Sequence, residues 1–205
     1  MVTLGVLALG FAVSRSGPSY TSEGHSPRFG ETWERGVAGA RVTIETFPDF
    51  SCPVCLENEW LIRQALIAYG NDLKIVYRHF PSLKSEFALK AAEALEAAGE
   101  QGKFWEMHDL IVMNRDKVTV SDFEAYAQRL GSDMQKFEQA MATSQFRDKV
   151  VTSRKNAEAA GITYPTVFIN GKELQTPRSF DELRRVIDAV LGKSPVPQPQ
   201  TTPEG

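Results

Sequence analysis

At 205 residues, 42% of them hydrophobic and 24% charged, the chain is long enough to bury one full core, and a second independent domain is not expected. A formal net charge of -3 leaves no clustered Lys and Arg for a phosphate backbone, so nucleic-acid partners are set aside. The two cysteines, Cys52 and Cys55, cannot form a distributed disulfide framework or complete a four-ligand zinc site alone, so no metal is assigned and their use is expected to be local and chemical.

Val2 to Val13 is an apolar run shorter than the roughly 20 residues of a membrane span, but it suits the core of an export signal. No Lys or Arg precedes it and no clean cleavage site follows. Signal, uncleaved anchor and remnant of a longer segment therefore all stay open, with a buried terminal strand as the plainer alternative. Ser14 to Gly30, rich in Ser, Gly and Pro and containing His25, reads as a flexible tether. Residues 1–35 are assigned to leader and tether, and the folded body to 36–192. Residues 193–205, with Pro195, Pro197, Pro199 and Pro203, lack the apolar side chains that offset ordering entropy and are expected to be a disordered tail.

Within the body, Arg41 to Phe47 is β-branched and alternating, and Leu73 to Phe80 reads the same way, so both are predicted strands. Between them, Pro53 to Tyr69 has helical spacing at Leu56, Trp60, Leu66 and Ile67. Strand, helix, strand implies a right-handed crossover and a parallel pair. A block of several helices follows over about 85–161, with stripes at Ala88, Ala91, Ala92 and Leu95, and at Phe123, Tyr126, Ala127 and Leu130. Capping boxes are predicted at Ser121 with Glu124 and at Ser132 with Gln135, and Gly131 is placed to stop the helix between them. Met134, Phe137 and Met141 read as packing. Thr166 to Ile169, the turn pair Asn170 and Gly171, and Lys172 to Leu174 form a predicted hairpin, because Asn-Gly supplies the positive φ angles of a two-residue turn. Ser179 and Glu182 then cap a last helix that buries Leu183, Val186, Ile187 and Val190 and ends before Gly192.

The chemistry is expected at Cys52-Pro53-Val54-Cys55, where the first strand gives way to the first helix. Cys52 should occupy the helix cap and Pro53 the first helical position, where a missing N–H costs nothing. Unpaired backbone N–H groups and the positive end of the helix dipole favour a thiolate, which makes Cys52 the candidate nucleophile. Cys55, one turn on and on the same face, is the candidate resolving thiol. A two-cysteine motif also serves as a zinc half-site, but its place in a β-α-β unit with no other cysteine favours redox chemistry. Tyr164-Pro165, just before the hairpin strand, marks a second constrained point. An X-Pro bond there can be cis at a cost of about 0.5 to 1 kcal/mol, with a trans proline opening the strand as the alternative.

Four blocks, in order, carry a resemblance. They are Phe47 to Cys55 (FPDFSCPVC), Tyr77 to Pro81 (YRHFP), Gln101 to Asp109 (QGKFWEMHD) and Tyr164 to Gly171 (YPTVFING). From Val42 to Leu191 the chain resembles the bacterial DsbA-like family of thiol-disulfide oxidoreductases. The resemblance implies an α/β thioredoxin fold with a helical domain inserted between its β-α-β and β-β-α halves. It also implies an enzyme with Cys52 as nucleophile, Cys55 as resolving thiol and Pro165 as a cis-proline. Three departures stand out. Thr46 occupies the position where the family carries a buried Glu, with Glu45 one place earlier and facing the other way unless a bulge intervenes. The 161–164 loop looks one residue short and carries the bulky Tyr164. Pro53-Val54 lacks the His of the strongest oxidants.

Pro53, Val54, Tyr164 and Phe50 are the candidate substrate contacts, with Phe47, Phe50 and Tyr164 as an apolar rim. His79 and His108 are read as packed or hydrogen-bonded rather than as bases, Phe104 and Trp105 as core, and Lys149 with Asp148 and Arg184 with Asp188 as solvated faces. The expected function is oxidation of cysteine pairs in unfolded or partly folded exported polypeptides. The protein should work outside the cytoplasm as a monomer without cofactor, reset by a membrane or soluble redox partner. The alternatives are a reductase or isomerase using the same cysteines, and a non-catalytic module in which two chains share zinc.

Overall fold

In a computed structural model, the structure describes residues 32–174, 177 and 179–193. The expected leader, tether and Pro-rich tail lie outside the described residues, apart from the few that border them.

The order is β1 (Trp33–Gly36), β2 (Val42–Phe47), α1 (Pro53–Tyr69), β3 (Leu73–Tyr77), α2 (Glu86–Gly99), α3 (Phe104–Met113), α4 (Asp122–Arg129), α5 (Met134–Ala142), α6 (Arg147–Ala159), β4 (Thr166–Ile169), β5 (Lys172–Leu174) and α7 (Phe180–Leu191). The five strands make one sheet in the order β1-β3-β2-β4-β5. β2 lies at its centre, parallel to β3 and antiparallel to β4. This is the thioredoxin fold with its helical insertion, α2 to α6, between β3 and β4, as the sequence implied.

Alternation along β2 decides which side chain meets which layer. Val42 and Ile44 pack against Leu61, Ile62 and Ala65 of α1 and against Leu183, Ile187 and Leu191 of α7. On the other face Phe47 joins Phe80, Phe168, Ile162 and Ala157 of α6. Covered on both sides, all six residues of β2 are buried. The insertion has its own core, in which α2 contributes Ala91, Ala94, Leu95 and Ala98 and is overlaid by Phe104, Met107, Ile111, Phe123 and Phe137. Small residues let helices approach α2 closely. Tyr77, Phe50 and Leu56 run from this core into the sheet half, so the halves share one apolar seam.

Several expectations are corrected. β1 starts at Trp33, within the segment assigned to the tether, and pairs antiparallel with β3. Its four residues, WERG, are too short and too charged to show strand periodicity. Trp33 anchors the strand by stacking on Phe104 at 4.3 Å between centroids and by donating from Nε1 to Glu96 at 2.7 Å. Ser121 stands at the head of α4 in helical conformation and makes no cap bond. Asp122 instead accepts from Thr119 N–H and Oγ1, at 2.6 and 2.7 Å. α5 is capped not by Ser132 but by Asp133, whose carboxylate accepts from Lys136 N–H at 3.2 Å. Lys149 pairs with Glu96, Arg184 with Asp181, and Asp188 accepts from Tyr69. The hairpin follows expectation, with φ of 46° and 79° at Asn170 and Gly171, and Ser179 caps α7 through Glu182 N–H. The buried face of α7 is corrected: Leu183 and Ile187 are buried and Val186 partly so, but Val190 is exposed and Leu191, one turn after Ile187, takes the inner place.

Candidate active site

Cys52 is the cap of α1, in extended conformation, with Pro53 at the first helical position. Its sulfur accepts from Cys55 N–H at 3.3 Å. Upstream, Asp49 accepts from Ser51 N–H and Oγ at 2.8 and 2.7 Å, and its carbonyl accepts from Cys52 N–H at 3.0 Å. The turn between β2 and α1 is thus fixed on both sides before the helix begins. Both cysteines are free thiols, Cys52 half-buried and Cys55 buried. Burial pushes the Cys55 thiol well above its ordinary range, and the hydrogen bond and charge of Cys52 add to the rise. The pair is asymmetric in burial: Cys52 is half-buried at the helix cap, and Cys55 is buried one turn on.

A cavity of about 10 Å³ lies against Cys55, bordered by Thr46, Asn58, Glu59, Pro165 and Thr166. Pro165 therefore stands beside the cysteine motif, as expected. Its peptide bond with Tyr164 is trans, since there are no cis bonds among the described residues, and the cis expectation is corrected. Trans is the lower-energy isomer by about 0.5 to 1 kcal/mol, and a proline just ahead of Thr166 gives up no ladder bond of β4.

Of the candidate substrate contacts, Val54 and Tyr164 are exposed, at 56% and 55%. Phe50 is not. At 3% exposure it stacks on Tyr77 and meets the edge of His108, so it belongs to the core. Phe47 is likewise buried, which reduces the expected aromatic rim to Tyr164 with Val54 nearby in the motif. Phe104 is core, as read from sequence.

Glu45 does not replace the missing acid. β2 keeps unbroken register with both neighbours, so no bulge turns Glu45 round, and it forms a buried ion pair with Arg78. Thr46 faces α1 and donates from Oγ1 to Oε1 of Glu59 at 2.5 Å. Glu59, 1% exposed, is a site residue that sequence reading missed. Its other oxygen lies 3.1 Å from Nε2 of His108, and Nδ1 of His108 lies 3.3 Å from Asp109. Burial disfavours the His108 imidazolium, but the bonds to Asp109 and Glu59 outweigh it and raise its affinity for a proton. For Asp109, burial works against ionisation, and His108 and Arg35 override it, holding the carboxyl at about 2. The one available signal was the spacing, since a Glu one turn after Cys55 shares its helix face.

Among the described residues, no group of three or more His, Cys, Asp or Glu is placed to hold a metal ion, and no helix is long and apolar enough to cross a membrane.

A family model described as thioredoxin matches residues 30–189. Among curated proteins, a protein named Na(+)/H(+) antiporter NhaA 3 from Salinispora tropica is 34% identical over 155 residues, covering 75% of this chain and 24% of that protein. One named NhaA 1 from Mycolicibacterium gilvum is 34% identical over 162 residues, covering 77% and 26%. The chain thus spans about a quarter of the curated relatives it matches. Among solved structures, the thiol-disulfide exchange protein alpha-DsbA2 of Wolbachia pipientis superposes with TM-score 0.64 at 21% identity, covering 78% of this chain and 87% of that one. BdbD of Bacillus subtilis gives 0.65 at 20%, covering 78% and 92%. MdbA, a thiol-disulfide oxidoreductase of Actinomyces oris, gives 0.64 at 17%, covering 81% and 87%.

Proposed function

Because this chain belongs to the thioredoxin family, with the fold of the DsbA-type thiol-disulfide oxidoreductases, we propose that it exchanges disulfides through Cys52 and Cys55 and oxidises cysteine pairs in exported polypeptides. The observation that carries this reading is the asymmetry of the pair, with Cys52 capping α1 and Cys55 buried one turn below. In the oxidising direction a substrate thiolate attacks the Cys52 sulfur of the Cys52–Cys55 disulfide, and Cys55 departs with the electron pair. A second substrate thiolate then attacks the substrate sulfur of the mixed disulfide. Cys52 leaves as a thiolate, stabilised by the start of α1. A redox partner resets the dithiol.

Substrate chains would lie across Val54, Pro53 and Tyr164, the exposed apolar and aromatic groups beside the motif, with Pro165 fixing the approach. The apolar run from Val2 to Val13 supports an extracytoplasmic workplace, delivered or anchored there by that segment. The matched segment of the relatives named as antiporters makes up about a quarter of their length, which supports a place at a membrane surface; ion transport is not carried over. A monomer suffices for this cycle.

A glutathione redox titration of the purified protein tests the direction. The expected potential is above the roughly −270 mV of thioredoxin, and a value at or below it transfers the reading to a reductase or isomerase. Cys52→Ser should abolish exchange, whereas Cys55→Ser should accumulate mixed disulfides. Equal residual activity in the two variants would contradict the roles assigned. Stoichiometric zinc and a dimer dispersed by chelator would favour the zinc-sharing module instead.

A further inference from the structure

Closing the disulfide requires Cys55 to lose a proton from a buried site, at the moment when the substrate joined to Cys52 covers the solvent side of the motif. We propose that Glu59, His108 and Asp109 form a proton conduit that carries the Cys55 proton through the interior to a separate groove beside Trp105. The inference rests on the redox reading above and assigns residues to its proton step.

Two cavities frame the conduit and share no lining residue. The first is the 10 Å³ space against Cys55, with Glu59 and Asn58 in its wall; Asn58 Oδ1 is buried there without a hydrogen-bond partner. It is about the size of one water, so the proton crosses from sulfur to carboxylate directly or through a single molecule. The second is a groove of about 310 Å³ lined by Trp33, Arg35, Trp105 and Asp109, among others. Between them runs an unbroken line of polar atoms. Thr46 Oγ1 holds Glu59 Oε1 at 2.5 Å, Glu59 Oε2 lies 3.1 Å from His108 Nε2, and His108 Nδ1 lies 3.3 Å from Asp109 Oδ1. Arg35 grips both oxygens of Asp109, at 3.0 and 2.9 Å, and Arg63 lies 3.2 Å from Oδ2. Other titratable groups near the line are Cys52 at the helix cap, Asp49 in the turn ahead of the motif, Tyr77 on β3, whose phenol burial keeps neutral, and Glu96 on α2 behind Tyr77.

An imidazole with each nitrogen bonded to a different carboxylate can accept a proton at one and release it at the other. Edge-on contacts with Phe50, Tyr77 and Trp105 hold the His108 ring in that orientation. Burying Glu59 and His108, with Asp109 partly covered beside them, costs several kcal/mol per buried ion before pairing, a large investment for an inert strut. Asp109, its side chain 16% exposed and its carboxyl at about 2, does not retain the proton but passes it to water in the groove.

Cys55 gives its proton to Glu59, Glu59 protonates Nε2 of His108, and Nδ1 releases a proton by way of Asp109. The Cys55 thiolate attacks the Cys52 sulfur, forms the Cys52–Cys55 bond and breaks the bond to substrate, which leaves as a thiolate carrying the electron pair. In the oxidising direction the same line returns a proton to the displaced Cys55.

Stopped-flow mixing of the reduced protein with a chromogenic aromatic disulfide, dithiobis-nitrobenzoate, separates the two events. Attack by Cys52 releases the first thionitrobenzoate, and closure by Cys55 releases the second. Glu59→Gln should slow the second phase about a hundredfold near neutrality, the scale of a lost general base, and make it climb about tenfold per pH unit, with the first phase unchanged. Asp109→Asn, which leaves the Cys55 cavity intact, should slow it about tenfold. A Glu59→Gln variant that closes with the wild-type pH profile overturns the conduit. Slowing by Glu59→Gln but not by Asp109→Asn overturns the exit to the groove. If the wild type itself shows no second phase, it is the redox reading that fails.

Discussion

Replacing Glu96 by Gln probes the joint between the sheet and the inserted helices. Glu96, 1% exposed on α2, receives Trp33 Nε1 from β1 at 2.7 Å, His79 Nε2 from just beyond β3 at 2.7 Å and Lys149 Nζ from α6 at 2.7 Å. Burial opposes its ionisation, yet the bond and charge of His79, with Lys149 and Trp33, bring its carboxyl from an ordinary 4.5 down to about 2. That lowering corresponds to roughly 3 kcal/mol of folding free energy. For a body of this size the loss should appear as a fall in Tm of roughly 6 to 12 °C. Because the folded-state value is depressed, the contribution is fully present above pH 4.5 and is lost as pH falls through about 2. Urea unfolding followed by circular dichroism should therefore show a gap between wild type and Glu96→Gln that is constant from neutrality down to about pH 5 and closes toward pH 2. A gap below about 1 kcal/mol at neutrality, or one that persists unchanged at low pH, would refute the argument.

Three further outcomes are expected. Gly99→Ala should destabilise by about 1 to 3 kcal/mol in the same unfolding assay, because a Cβ there would stand 2.5 Å from the Trp33 ring, itself pinned against Phe104; no measurable change would show that Trp33 is free to yield. The proton affinity of His108 is raised in the fold, so its contribution is present below about pH 6.5 and lost as pH rises through the higher folded value. The stability gap between wild type and His108→Asn should thus shrink from pH 6 to pH 9, and a widening gap would contradict the assignment. Val54→His adds a donor beside Cys52 at an exposed position. It should raise the reduction potential by about 30 mV for each tenfold gain in thiolate stability, read by glutathione titration, and a lower potential would count against dipole control of Cys52.

The elements with strong local grammar were legible. α1 begins at Pro53 and ends at Tyr69 because proline starts it and Gly70 stops it, and the Asn170-Gly171 turn fixes both hairpin strands. What periodicity cannot carry is partnership across the sheet. β1 is a strand through pairing with β3 and through Trp33, neither visible in four residues. At the site, the cap position of Cys52 followed from the motif, but Phe50 was misplaced because an aromatic near a reactive group reads equally well as rim or core. Glu59 escaped notice because a lone Glu inside a helix looks solvated until Thr46 and His108 meet it. The absent acid at position 46 was readable; the acid bonded to Thr46 comes from the next helix and meets it only once the chain is folded.

The central place of β2 also governs events during synthesis. Its partner β4, which closes the Cys55 cavity with Pro165 and Thr166, emerges about a hundred residues after the cysteines, with five helices in between. Until that distant pairing forms, both thiols of a nascent chain stand open to passing oxidants and to one another. The C-terminal fifth therefore acts as a late-arriving door, and a ribosome stalled before β4 would leave a reactive dithiol without the walls that discipline it.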